Sequence, residues 1–544
     1  MIVLDEEADR RTGKSAQRHN ISAARAVAQS VSSTLGPKGM DKMLVSSTGD
    51  VTITNDGVTV LREMDIENPT AQMVIEVAET QADEGGDGTT TAVALAGELL
   101  KTAESLLDQD VHPTSIVRGF DLAAAHARNE IDAIAESVQP DDEAILKAVA
   151  ETSMTGKGAE LDLDLLSELV VGAVQAVSVA GEDGSTVVDL EHVDIETRAG
   201  RPTAASTLIE GAIVDDDPVH EDMPADVRDA NVLLLEAPIT VNQLEGDATL
   251  SVDDPDQLRD FVEQEEQQLR QLVEQLVDAG VDAVFSTKTI DDMVGHLLAR
   301  EGILAFENLK TDDLETLDDV FDAPIVSDLE FADFSAADLG TGDVTYDTEE
   351  GWFVVESGGD GVTLLVRGST RHVSEELERG ITDALSVVAA TVSDGRVLAG
   401  GGAVEAEVAD RLRDYADSVS GREQLAVEAF ADALEVVPRT LAENAGLDAI
   451  DTLVELRSAH ENGEKRAGLN VFTGDVVDTY AKGVVEPAHA KTQAVSNAVS
   501  VATLVLQIDD IVAASDLGED FEDEDDQQGA PGGMGGMGGM GGMM

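Results

Sequence analysis

A chain of 544 residues with 111 Asp and Glu against 34 Lys and Arg carries a formal net charge of −77, and it contains no cysteine. Such a length exceeds a single hydrophobic core, so two to four domains are expected. The acidity argues against a basic nucleic-acid face, and the missing thiols exclude disulfides, a thiol nucleophile and zinc–thiolate centres.

The nine histidines form no HExxH pattern, so no transition-metal site is expected. No apolar run reaches membrane-spanning length, and the segment after Met1 has no apolar leader; the protein reads as soluble and cytoplasmic. Hydrophobic residues make up 42% of the chain and fall with helical or strand periodicity almost throughout. The acid therefore coats a folded surface, whose self-repulsion requires screening by salt. The composition points to the salt-rich cytoplasm of a halophile.

Residues 1–19 read as a polar arm. Gly13-Lys14-Ser15 within it is not a Walker loop, because Ala8 stands where the pattern needs glycine and no strand is expected ahead of it. Gly156-Lys157-Gly158 fails as well, for want of a following Ser or Thr. Asn20 is predicted to cap a helix carrying Ala24, Val27, Ala28, Val31 and Leu35, which Gly36-Pro37 ends. A strand over 51–54 runs into Asn55-Asp56-Gly57, most plainly a hairpin turn.

The next helix starts at Asn68-Pro69 and stops at Gly85. After Gly86-Asp87-Gly88, three threonines, Thr89, Thr90 and Thr91, stand at a fresh helix N-terminus, where unpaired N–H groups attract phosphate. Gly86 and Gly88 allow close approach of backbone to ligand, and Asp87 is a hard oxygen ligand of the kind Mg²⁺ takes beside nucleotide phosphates. The plain reading of this stretch alone is an Asp-capped helix after a glycine turn. Three such glycine turns within about sixty residues suggest a shared ligand.

Helices dominate 92–178, broken at His112-Pro113 and Gln139-Pro140. Strands are expected over 186–188 and 193–197. Residues 210–365 read as α/β, with buried-strand runs at 232–235, 283–286 and 303–306. A very polar helix spans 255–279, with Leu258, Phe261, Val262, Leu269, Leu272, Val273 and Leu276 on one side. Antiparallel strands fill 344–368.

The helix over 373–392 carries Asp383 beside its apolar stripe, ordinarily the place of an exposed carboxylate. Gly400-Gly401-Gly402 opens a helical block to 459. A hairpin over 469–479, the run 484–487 and a last helix to about 513 follow. The tail combines an acid run, 516–526, with a GGM repeat over 529–544; both are expected to be flexible.

Five motifs in fixed order, Leu35-Gly36-Pro37-Lys38-Gly39-Met40-Asp41-Lys42, Thr54-Asn55-Asp56-Gly57-Val58-Thr59, Gly86-Asp87-Gly88-Thr89-Thr90-Thr91, Gly400-Gly401-Gly402 and Gly483-Val484-Val485-Glu486-Pro487, resemble those of group II chaperonins of the archaeal thermosome type. The GGM tail fits them, and the acidity resembles a haloarchaeal member. The resemblance covers about residues 15–515.

It implies a multi-domain α+β fold: a mainly helical equatorial ATPase domain (1–138 and 397–544, with 516–544 a flexible tail), a small intermediate hinge domain (139–206 and 364–396), and an α/β apical domain (207–363) with a lid protrusion at about 238–275. It implies an ATP-dependent chaperone that encloses unfolded polypeptides in a double ring of identical or paralogous subunits, with no nucleic acid or membrane partner. The alternative is a non-hydrolysing holdase or structural ring subunit.

The cofactors implied are ATP and Mg²⁺. The resemblance places Thr34, Leu35, Gly36, Pro37, Asn55, Gly57, Gly88, Thr89, Thr90, Thr91, Gly400 and Gly401 at the nucleotide, Glu486 at the ribose, Lys157 at the γ-phosphate and Asp87 on the metal. Asp56 and Asp383 orient and activate water in that reading. The stretch around Asp383, Glu378-Arg379-Gly380-Ile381-Thr382-Asp383, departs from the family pattern at two positions, which touches packing rather than chemistry. Val294, Leu297 and Leu298 would meet substrate on the apical helix, unless they pack into the core.

The charge itself generates a test. The unfolding midpoint should rise from dilute buffer to molar KCl, followed by thermal melts; highest stability in dilute buffer would contradict the halophile reading.

Overall fold

The computed structural model describes residues 10–46, 49, 51–64, 66–157, 162–181, 186–240, 255–327, 338–359 and 361–512. The start of the expected arm, part of the expected protrusion (241–254), and the acid run and GGM repeat lie outside the described residues.

Three large cores form among the described residues. The first is helical and draws on both ends of the chain: Leu99 and Leu100 from helix Thr89–Asp108, Phe120 from Pro113–Ile134, Phe430 from Glu423–Leu434 and Val501 from Ala488–Gln507. Phe120 and Phe430 meet edge to face at 5.8 Å. The second core packs Leu146 and Val170 against Ile381 and Val388 of helix Arg371–Asp394. The third lies on a six-stranded sheet ordered Leu304–Phe306, Ala283–Ser286, Asp226–Leu235, Gly340–Asp347, Trp352–Ser357, Gly211–Val214.

The chain passes between these cores on paired strands. Glu136–Ser137 lies antiparallel to Arg396–Ala399, so the outgoing and returning segments cross side by side. Thr207–Ile209 pairs with Val362–Gly368 at the next crossing. Each outer core is thus an insertion into the one before it.

Several local expectations are met. Asn68 Oδ1 accepts from Thr70 N and Ala71 N at the start of helix Pro69–Gly85. The polar helix Pro255–Ala279 is present, and Leu269, Val273 and Leu276 bury against the six-stranded sheet.

Others need correction. The first helix is Lys14–Ser32 with Gly13 as its cap, so Asn20 lies buried inside it, where its Oδ1 accepts from the Thr70 hydroxyl at 3.0 Å. A strand, Arg10–Thr12, fills the positions that the loop of a Walker motif would occupy between residues 8 and 13, and it pairs with Asp510–Val512. The rejection of a Walker loop therefore stands on Ala8 and on that strand, while the residues ahead of Ala8 lie outside the described ones.

The last helix ends at Gln507 because the chain turns to make that strand. Asn55-Asp56-Gly57 leads into the short helix Gly57–Arg62 rather than a hairpin. Strand Val362–Gly368 leaves its expected antiparallel neighbours to pair in parallel with Val193–Ala199. Val294 and Leu298 are fully buried in the third core, so neither can meet a substrate; Leu297 packs against the same core, partly buried.

Trp352, at the start of strand Trp352–Ser357, meets the guanidinium groups of Arg198 and Arg367, 5.5 and 5.0 Å from its ring centre. Glu350 binds the buried Arg367 at 2.7 Å and Arg201 at 2.5 Å. Glu350→Ala would leave a buried guanidinium without its carboxylate. It should lower unfolding stability in molar KCl by about 3–5 kcal/mol, measured by denaturant titration; a loss below about 0.5 kcal/mol would show that the cluster contributes nothing.

Candidate functional site

Helix Pro69–Gly85 ends on Gly86 with φ +69°, and helix Thr89–Asp108 begins on Gly88 with φ +84°. Both values lie in the left-handed region that glycine enters without strain. Because Gly88 has no side chain to cap the new helix, its first N–H groups remain available to a ligand. Gln81, fully buried, stiffens the bend: its Nε2 donates to the Asp87 carbonyl at 2.8 Å and to the Ala490 carbonyl at 3.2 Å.

This bend forms one wall of a cavity of about 480 Å³, within the range of small-molecule sites. Thr34, Leu35, Gly36 and Pro37, then Asn55, Asp56 and Gly57, then Asp87, Gly88, Thr89, Thr90 and Thr91 line it together. The three glycine turns face a common space. Lys157, Gly401 and Glu486 line it too. The hydroxyls of Thr34 and Thr90 stand 3.5 Å apart, and Asn55 Nδ2 donates to the Gly156 carbonyl at 2.6 Å, tying its turn to the Lys157 loop.

Two residues expected at the cavity do not line it. Gly400 sits behind Glu486, and Asp383 stands behind Lys157, reaching the cavity through that ammonium group.

The carboxylates are differently committed. Asp56 Oδ2 accepts from Thr59 N at 2.8 Å as the cap of helix Gly57–Arg62, and Asp87 Oδ1 accepts from Gly88 N at 2.7 Å. Lys157 Nζ lies 2.6 Å from Asp383 Oδ2 and 3.9 Å from Asp87 Oδ1. Burial pushes the Asp383 carboxyl up to about 6; Lys157 opposes this, while Asp87 and Asp56 reinforce it. Burial alone would lower the Lys157 ammonium, but Asp87 and Asp383 raise it above the ordinary lysine range.

Asp87 and the threonine hydroxyls present only hard oxygens, which suit Mg²⁺, and an ammonium already occupies the cationic position beside Asp87. Among the described residues no three His, Asp or Glu side chains converge as a metal cage. A magnesium ion held mainly by phosphate oxygens and water needs only one carboxylate.

Sequence reasoning missed the far wall, made by Leu469, Asn470, Val471, Phe472, Val477 and Thr479 around the hairpin Ala467–Leu469 and Val476–Asp478. Its hairpin pattern was visible, but nothing local tied it to the glycine turns. Gln81 and Lys491 were missed as well. A glutamine between Ala78 and Ala82 on an apolar helix face was the available signal for the first.

The TCP-1/cpn60 chaperonin family profile matches residues 27–516. Thermosome subunit 2 of Haloferax volcanii is 62% identical over 96% of this chain and 94% of its own length. Thermosome subunit beta of Halobacterium salinarum is 60% identical over 96% and 94%. The open-state monomer of a group II chaperonin from Methanococcoides burtonii superposes with a TM-score of 0.61 at 40% identity, covering 78% of this chain and all of that one. A multi-domain α+β chain of this topology, with its glycine turns gathered on one nucleotide-sized cavity, belongs to the TCP-1/cpn60 chaperonin family.

Proposed function

We propose that the cavity is a Mg-ATP site whose turnover moves a built-in lid over unfolded polypeptide. The chain is an ATP-dependent molecular chaperone, an ATPase of its family. The finer assignments rest on the convergence of Asp56, Asp87, Lys157 and Glu486 with the N-terminus of helix Thr89–Asp108 around one space.

In this reading the N–H groups and hydroxyls of Thr89, Thr90 and Thr91 hold the phosphates, and Thr34 to Pro37, Asn55, Gly57, Gly88 and Gly401 shape the pocket. Glu486 faces the ribose. Gly400 acts by leaving space for Glu486. Asp87 is the metal ligand, and bound magnesium would neutralise charge developing on the transferred phosphoryl group. Asp56 and Asp383 orient the attacking water and accept its proton.

Lys157 then has two partners to choose between. Without nucleotide it neutralises Asp383; with nucleotide it moves to the γ-phosphate and frees the carboxylate. Asp383 belongs to a helix of the second core, whereas Asp87 belongs to the first. Productive geometry therefore depends on how the two cores approach, which couples hydrolysis to domain movement.

The three cores and their paired crossing strands support an equatorial domain of 1–138 and 397–544, an intermediate domain of 139–206 and 364–396, and an apical domain of 207–363. The proposal extends to identical or paralogous subunits in a double ring, working in a salt-rich cytoplasm. Among the described residues, no helix is long and apolar enough to cross a membrane.

Asp383→Ala should bind ATP with Mg²⁺ while turning over about 10²-fold or more slowly, read by calorimetry and phosphate release in molar KCl. Unchanged turnover would remove Asp383 from the chemistry, whereas a wild-type protein that binds ATP without turning it over would favour the holdase. The acidic limb gives a second test. Asp383 must be ionised to act, and its carboxyl is pushed up to about 6. Activity should therefore be present above that pH, with kcat/KM falling about tenfold per unit below it; a flat profile between pH 7 and 5 would contradict the assignment.

A further inference from the structure

Glu486 reaches the cavity from strand Val485–Pro487, where Leu398 lies opposite it in the antiparallel ladder. Beneath it, in the first turn of helix Ala488–Gln507, Lys491 contacts Glu486 Oε2 and lies 2.8 Å from Glu405 Oε1. Glu405 in turn belongs to the first turn of helix Ala403–Ala416. Lys491 is 11% exposed and Glu405 7%, whereas Glu486 is 27% exposed and open to the cavity. The charged trio thus runs from the protein interior to the cavity surface.

An ammonium group at this place is unfavourable on two counts. It is nearly stripped of water, and the positive end of the helix dipole lies beside it. Only the two carboxylates offset this, and an apolar side chain would fill the same volume without the desolvation cost. What the cation supplies that an apolar residue would not is a fixed, charged partner for Glu486. Gly400 closes the opposite side: a Cβ there would stand 2.7 Å from Glu486 Oε1. The Glu486 carboxylate is therefore confined between the Gly400 backbone and the Lys491 ammonium.

We propose that Lys491 is a positioning residue that clamps Glu486 through Oε2, so that the remaining oxygen is presented to the hydroxyls of the nucleotide ribose as a charged acceptor. The proposal rests on the placing of Glu486 at the ribose. Glu405 serves as the rear partner that keeps Lys491 from swinging into the cavity. Burial pushes the Glu486 carboxyl up, with Lys491 opposing and Glu405 reinforcing the shift. Without Lys491 two desolvated carboxylates would face each other, and one would take up a proton or turn away. Either change removes an aimed acceptor and with it the preference for a hydroxylated sugar.

The test is the affinity of the assembled protein for ADP and for 2′,3′-dideoxy-ADP, each with Mg²⁺ in molar KCl, measured calorimetrically. The wild-type protein should prefer ADP by about tenfold or more, the contribution of a hydrogen bond to a charged acceptor. Lys491→Met should bring the preference to within about twofold, through weaker binding of ADP and little change for the dideoxy compound. Should Lys491→Met not fold, Lys491→Gln removes the same charge and carries the same expectation.

Equal weakening of both ligands with the preference kept would overturn the proposal, because a merely structural lysine would act that way. An unaltered preference would overturn it too, while leaving Glu486 at the ribose. A wild-type protein that does not discriminate would instead defeat the placing of Glu486, and this proposal with it.

Discussion

A single ammonium group among converging carboxylates is the interaction on which the site depends. Asp56, Asp87 and Asp383 are drawn to one place by the turns and helices that carry them, in a chain that is already heavily acidic. Lys157 holds that arrangement together by direct contact with Asp383 and by its proximity to Asp87. The same arrangement leaves a demand for further positive charge when phosphate enters, and a divalent cation meets that demand. Structural balance and nucleotide chemistry are thus two aspects of one charge distribution.

The scaffold serves that site by non-local means. Helix Pro69–Gly85 delivers the glycine bend, and Gln81 locks it against the first turn of helix Ala488–Gln507, some four hundred residues away. Asn55 links its turn to the Gly156 loop. Asp56 caps its own helix while lining the cavity. Asn55 and Asp56 therefore carry a structural duty beside their proposed chemical one.

Much of this was legible in the sequence where the signal is local. The Asn68 cap, the glycine bend, the threonine-led helix and the buried strand runs follow from spacing and composition alone. What escaped depends on partners distant in the chain. Asn20 reads as a cap until the Thr70 hydroxyl is seen to donate to its Oδ1 inside a helix. The final strand exists only because Arg10–Thr12 offers it an edge. Strand Val362–Gly368 is buried on both faces, which fits a third antiparallel strand as well as the parallel pairing it makes with Val193–Ala199. At the site, the motifs revealed which turns matter, yet the far wall and Lys491 became visible only when the fold brought them beneath those turns.

The most direct test of the account is an experimental structure of the assembled protein with Mg²⁺ and a non-hydrolysable ATP analogue in molar KCl. The account predicts metal on Asp87, phosphates on the N-terminus of helix Thr89–Asp108, Lys157 moved from Asp383 to the terminal phosphate, and Asp383 left facing the position of the attacking water. Nucleotide bound elsewhere, or Lys157 still paired with Asp383 while the phosphates fill the cavity, would contradict it.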